Sequence, residues 1–150
     1  MKSIFDHANR EELIQRVNSL SLTGKADWGK MNVYQMTTHC TIWNDWVLGR
    51  SNQTLRQGLL GKIFGKMALR SNTKDDKPLG KNMPAGKLFT VIATAGNLDA
   101  QKATLSNQIA EYENFSNDGF IHDFFGKMTK EEIGIFAYKH SDHHLRQFGV

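Results

Sequence analysis

Ile133-Gly134-Ile135-Phe136-Ala137-Tyr138-Lys139-His140-Ser141-Asp142-His143-His144-Leu145-Arg146-Gln147-Phe148 is the stretch on which the reading turns. Ile133, Phe136 and Ala137 recur with helical period. His140 and His144 stand four apart, about 40° from each other around a helix axis. Both therefore continue the apolar stripe. Three of the six histidines fall between positions 140 and 144. Imidazoles aimed into an apolar interior are uncommon. Their usual causes are a bound metal or a hydrogen-bonded core histidine. Thr129 with Glu132 forms a Thr-x-x-Glu capping box, which starts this helix at Thr129.

Helical periodicity governs the rest of the chain too. A first helix is expected over 9–20, with Leu13, Val17 and Leu20 on one face. A second starts at Asn32, a good N-cap with Gln35 three residues on, and ends near Gly49. Its inward stripe is Met36, His39 or Cys40, Trp43, then Trp46 or Val47. Residues 54–70 can form an amphipathic helix. Leu55, Leu59, Ile63, Phe64 and Met67 would be its apolar side and Lys62, Lys66 and Arg70 its basic side. Gly58, Gly61 and Gly65 weaken it. Residues 71–86 read as a loop and 88–94 as an extended or short helical connector. A third long helix is expected over 99–115, with Ala103, Leu105, Ile109 and Tyr112 inward. Residues 116–126 then form a loop carrying His122. Four long helices joined by loops predict an all-α four-helix bundle.

The 150 residues fit one domain spanning 1–150 and large enough to bury a core. The single cysteine, Cys40, permits no internal disulfide, which suits a reducing compartment. Met1 to His7 lacks the apolar core of a signal peptide, and no run is apolar enough to span a bilayer. The expected location is cytoplasmic. The net charge of +4 is uneven: Arg50 to Lys87 carries +7 and the remainder −3. That makes one basic patch on a mildly acidic body.

A divalent transition metal needs three or four N, O or S ligands converging on a point. An i, i+4 pair supplies two imidazoles from one helix face, and His39 is the best third ligand from a neighbouring helix. Three neutral histidines would leave positions for water or substrate. The pair is not unique, because His140 and His143 at i, i+3 can also share a face. His143 is expected at the bundle edge and Asp142 away from His140. His122 could line a pocket mouth, although a turn or solvent role is the stronger reading. His122 and His143 are the candidates for a general base. His7 reads as an ordinary first-turn residue, Cys40 as a small buried apolar one, and Trp28, Trp43, Trp46 and Tyr34 as packing. Gly61-Lys62-Ile63-Phe64-Gly65-Lys66 is not a P-loop: the spacing is one short, and Met67 replaces the Ser or Thr.

A histidine on the second helix with H-x-x-x-H near the end of the last resembles the DinB-like superfamily of four-helix-bundle metalloproteins. The resemblance is closest to a branch of domains with no assigned reaction. It lies in Trp28-Gly29-Lys30-Met31 with His39-Cys40, in Met83-Pro84, and in His122-Asp123-Phe124-Phe125-Gly126-Lys127 leading to Tyr138 through Gly149. It implies an up-down-down-up bundle, often a homodimer, with nickel, zinc or a similar ion held by His39, His140 and His144. Some relatives transfer or isomerise with low-molecular-weight thiols such as bacillithiol, mycothiol or glutathione. The basic 54–87 insertion between bundle helices two and three departs from the minimal bundle.

Three functions compete. The first is a metal-dependent thiol transferase or hydrolase acting on a small electrophile. In the second, the basic helix lies on nucleic acid or an anionic membrane. Its glycines and the lack of a nucleic-acid motif count against this, so neither is the expected partner. The third is a non-catalytic bundle whose insertion serves as a dimer arm.

Overall fold

Two reciprocal caps start the helices that carry the central histidines. The Asn32 side chain accepts from the Gln35 amide while the Gln35 side chain accepts from the Asn32 amide. Thr129 and Glu132 repeat the arrangement. Each such N-cap is worth about 1 kcal/mol. The computed structural model describes residues 1–51, 55–83 and 86–150. Thr54, where the basic helix was expected to begin, and Pro84 lie outside them.

The described residues form five helices: α1 (His7–Ser19), α2 (Val33–Val47), α3 (Leu59–Thr73), α4 (Leu98–Glu111) and α5 (Lys130–Gln147). Short 3-10 turns cover Lys87–Phe89 and Tyr112–Asn114. The four long helices close a ring of contacts, with α4 against both α1 and α2, and α5 against both as well. Leu13 and Val17 of α1, Met36 and Val47 of α2, Ile109 of α4 and Leu145 of α5 meet in its buried centre. No helix among the described residues is long and apolar enough to cross a membrane.

Several elements depart from the sequence expectation. The chain is mostly helical but not wholly so. Inside the expected 116–126 loop, β1 (Ile121–His122) pairs antiparallel with β2 (Gly126–Lys127). His122 thus sits on a strand. Ala103 is exposed and Gln108 is buried instead. Ala103 precedes Leu105 by two positions, about 200° around the helix, so the two cannot share a face. His7 is the exposed first residue of α1.

The largest departure is α3. It begins at Leu59 and continues to Thr73, not over 54–70, and its apolar side faces solvent. Leu59, Ile63, Phe64 and Met67 are exposed, whereas Gly61, Gly65, Leu69 and Thr73 are buried. The cause is the hairpin. The backbone of Phe124 lies flat on the two glycines, where a Cβ on Gly61 would come within 2.5 Å of the Phe124 carbonyl oxygen and one on Gly65 would also collide with it. Gln57 Nε2 donates to that same carbonyl at 2.9 Å, and the Gly58 amide donates to Asp123 O at 3.3 Å. At the far end, the buried Lys139 ammonium donates to the carbonyls of Asn72 and Asp75. It thereby satisfies carbonyls left open where the helix ends. The glycines that weaken α3 as an isolated helix are the surface by which it docks.

Replacing a helical glycine by alanine ordinarily stabilises by about 1 kcal/mol. At Gly65 the added methyl meets backbone, not a flexible side chain, and overpacking costs roughly 1–3 kcal/mol. Urea unfolding of Gly65→Ala should therefore give a net loss of stability. A gain would show that the hairpin does not sit against this glycine.

Candidate metal centre

His39 lies mid-way along α2, between Met36 and Trp43 on its inward stripe. His140 and His144 follow Phe136 on α5 at successive i, i+4 steps. Because α2 packs against α5, the three imidazoles meet. Their potential ligand atoms, one ring nitrogen from each, all lie within 4.8 Å of one another. His39 Nε2 and His140 Nε2 are 3.3 Å apart. Nitrogens on a tetrahedral ion at ordinary bond lengths stand about 3.4 Å from each other. One edge of the triangle therefore already has that length, and the remainder needs closure of the order of 1 Å. His39 and His144 are buried, while His140 is only partly so. The His140 ring stacks on Trp43 with centroids 4.1 Å apart.

The outer ring nitrogens define the inner ones. His39 Nδ1 is 2.8 Å from the carbonyl oxygen of Phe89. A carbonyl only accepts, so Nδ1 carries the proton and Nε2 turns its lone pair toward the cluster. His144 Nδ1 lies 3.1 Å from Gln147 Oε1, and Gln147 Nε2 donates to the Trp28 carbonyl at 2.6 Å. That second bond orients the amide, which makes Oε1 the acceptor and His144 Nδ1 the donor. Such outer hydrogen bonds are what hold metal-binding histidines in one tautomer and one orientation.

Burial keeps the three rings neutral. It lowers the pKa of His39, and it lowers that of His144 to about 3 with the help of His39 nearby. His140 is driven well below the ordinary histidine range by burial and then by His144 and His39. The Nε2 lone pairs of His39 and His144 turn inward beside the neutral His140 ring, which suits a borderline cation, and these three histidines could hold a divalent ion. Among the described residues no carboxylate or thiolate joins the group. Cys40 points away, its Sγ 3.8 Å from Met36 Sδ, and full burial raises its thiol pKa.

Of the i, i+3 and i, i+4 alternatives, it is His144 that completes the cluster. His143 is buried beside the cluster and meets Trp28 edge to face at 5.6 Å. It lines a cavity of about 370 Å³ with Trp28, Leu79, Lys81 and Arg146. Asp142 points away as expected and pairs with Arg16 at 2.8 Å. His122 stands apart from the cluster, its ring packed on Trp46, Phe125 and Phe136. Its Nδ1 lies 3.0 Å from Asp123 Oδ1, and this hydrogen bond holds the Asp123 carboxyl below its ordinary range. Sequence reasoning did not single out Gln147 or the carbonyls of Phe89 and Trp28. Gln147 had a faint signal, standing three residues after His144 on one helix face. The carbonyls had none.

The chain matches the DUF1569 family, proteins of unknown function, over residues 2–149, and belongs to it. No curated protein and no solved structure matches the chain.

The depressed histidines predict the acid response of the metal-free protein. Below about pH 6.5 the unfolded chain takes up protons that the folded rings refuse, so stability present above that pH falls as pH drops. Each ring contributes up to about 1.4 kcal/mol per pH unit. Urea unfolding in chelator between pH 7.5 and 5 should show this slope. His140→Phe, which keeps the stack on Trp43, should flatten it by about one ring's share. Equal slopes for the two proteins would contradict a neutral His140.

Proposed function

We propose that this protein is a DinB-like, up-down-down-up bundle that holds nickel or zinc at His39, His140 and His144. On this reading it is a transferase or hydrolase acting on a small electrophile with a low-molecular-weight thiol or water. The observation that carries the reading is the outward locking of two Nδ1–H groups, on Phe89 O and Gln147 Oε1, which leaves the Nε2 lone pairs facing inward. A divalent ion held there would supply Lewis acidity and make a bound thiol or water acidic near neutral pH. With no carboxylate in the ligand group, the loaded site would keep its full positive charge and favour an anionic partner.

A cavity adjoins the cluster through His143, while His39, His140 and His144 do not line it. His143 lines it, with its ring 5.1 Å from that of His144, and is placed to exchange a proton with a substrate there. Lys81 and Arg146 line the same cavity with one acid, Asp27, and their net positive charge would attract a carboxylate of a peptide-like thiol. Trp28 Nε1 is buried without a hydrogen-bond partner, a donor that a ligand oxygen could satisfy. His122, packed among aromatic rings, is the weaker candidate for the base.

A second reading has its own observation. The 3.3 Å between His39 Nε2 and His140 Nε2 also suits an N–H···N bond in a non-catalytic core.

Elemental analysis of protein purified without tag or chelator separates the two. About one divalent ion per chain is expected, as structural and catalytic histidine sites bind tightly. It should be lost in His39→Ala and His144→Ala and kept in His143→Ala. Gln147→Leu should weaken affinity roughly 10- to 100-fold by freeing the His144 ring. Wild-type protein that holds no metal and takes up neither nickel nor zinc on titration would favour the hydrogen-bonded core.

A further inference from the structure

The outward face of α3 is apolar: Leu59, Leu60, Ile63, Phe64 and Met67 are 75, 66, 62, 47 and 68% exposed. Isolated exposed apolar side chains are ordinary, but five on one face of one helix form a patch that calls for an occupant. The arrangement is forced. Gly61 and Gly65 must face the Phe124 backbone, so the bulky side chains between them face solvent. Exposed Lys62, Lys66 and Arg70 run along one edge of this face. From Leu55 to Lys74 there are five basic residues and no acidic one.

From this pairing of apolar face and cationic edge, we infer that α3 docks on an anionic lipid surface. It lies in the plane of the interface, with Leu59, Ile63 and Met67 among the acyl chains and Lys62 and Arg70 at the head groups, while Lys66 Nζ donates to the Lys127 carbonyl. Charge selects this occupant over a second copy of the chain. An antiparallel two-fold pairing through α3 would bring the cationic edges of the two copies together, and a parallel one would leave both edges without an acid on the helix to pair with. Nucleic acid would satisfy the cations but leave the apolar side chains in water. The glycines that counted against a membrane-facing helix are the residues by which α3 docks on the hairpin, so they leave its apolar face free. The inference is independent of any metal at the histidines.

The test is co-sedimentation of the full chain with vesicles of phosphatidylglycerol and phosphatidylcholine, and with phosphatidylcholine alone. A Phe64→Trp variant reports insertion through its fluorescence. Binding to the anionic vesicles only, with a blue shift, is expected. Lys62→Gln with Arg70→Gln should weaken it roughly 30-fold, about fivefold per charge. Ile63→Ser with Met67→Ser should abolish it while circular dichroism and the thermal midpoint stay unchanged, because both side chains are exposed. Three results overturn the proposal: no binding to either vesicle, equal binding to both, or a dimer in solution that the same serine variant dissolves.

Discussion

The approach of His39 on α2 to His140 on α5 is the contact around which the protein is arranged. Three imidazoles are withdrawn from water at this seam, and burying unpaired polar groups is unfavourable by some kcal/mol each. The protein offsets that loss with the Phe89 carbonyl, the Gln147 amide and the face of Trp43. An apolar trio of equal volume would fill the space without needing those partners. The locking of His39 and His144 in one tautomer and one orientation is therefore the physical argument for a ligand-binding role.

The partners also explain why the chain around the bundle runs as it does. The Lys87–Phe89 turn lies on α2 so that its last carbonyl reaches His39. Gln35 Nε2 donates to Val91 O and Asn32 Nδ2 to Thr94 O, which fastens the connector that follows along the start of α2. At the other end, the Trp28 carbonyl fixes Gln147, and the Asp27 amide donates to the Gln147 carbonyl. Two loop segments thus serve as walls for the histidine cluster.

The insertion between α2 and α4 follows a different constraint. Its helix is attached by small residues, with the hairpin backbone pressed on Gly61 and Gly65 and Lys139 holding the C-terminal carbonyls. Periodicity alone finds the apolar side of such a helix and assigns it to the core. It cannot see that the turn of a hairpin needs backbone contact, which only glycine allows. The same blindness placed Ala103 inward and missed Gln108, whose Nε2 reaches Thr41 O and Asp45 Oδ1 on α2.

What the sequence determined by itself was local. The caps at Asn32 and Thr129, the end of α2 near Gly49, and the inward phase of His39, His140 and His144 all follow from spacings within one helix. A helix makes those spacings meaningful over any four residues. The tertiary structure alone decided which histidine completes the cluster, which oxygens lock the rings, that residues 121–127 form a hairpin, and that α3 shows its apolar side to solvent. Each of these depends on atoms from segments far apart in the chain, whose meeting no local pattern encodes.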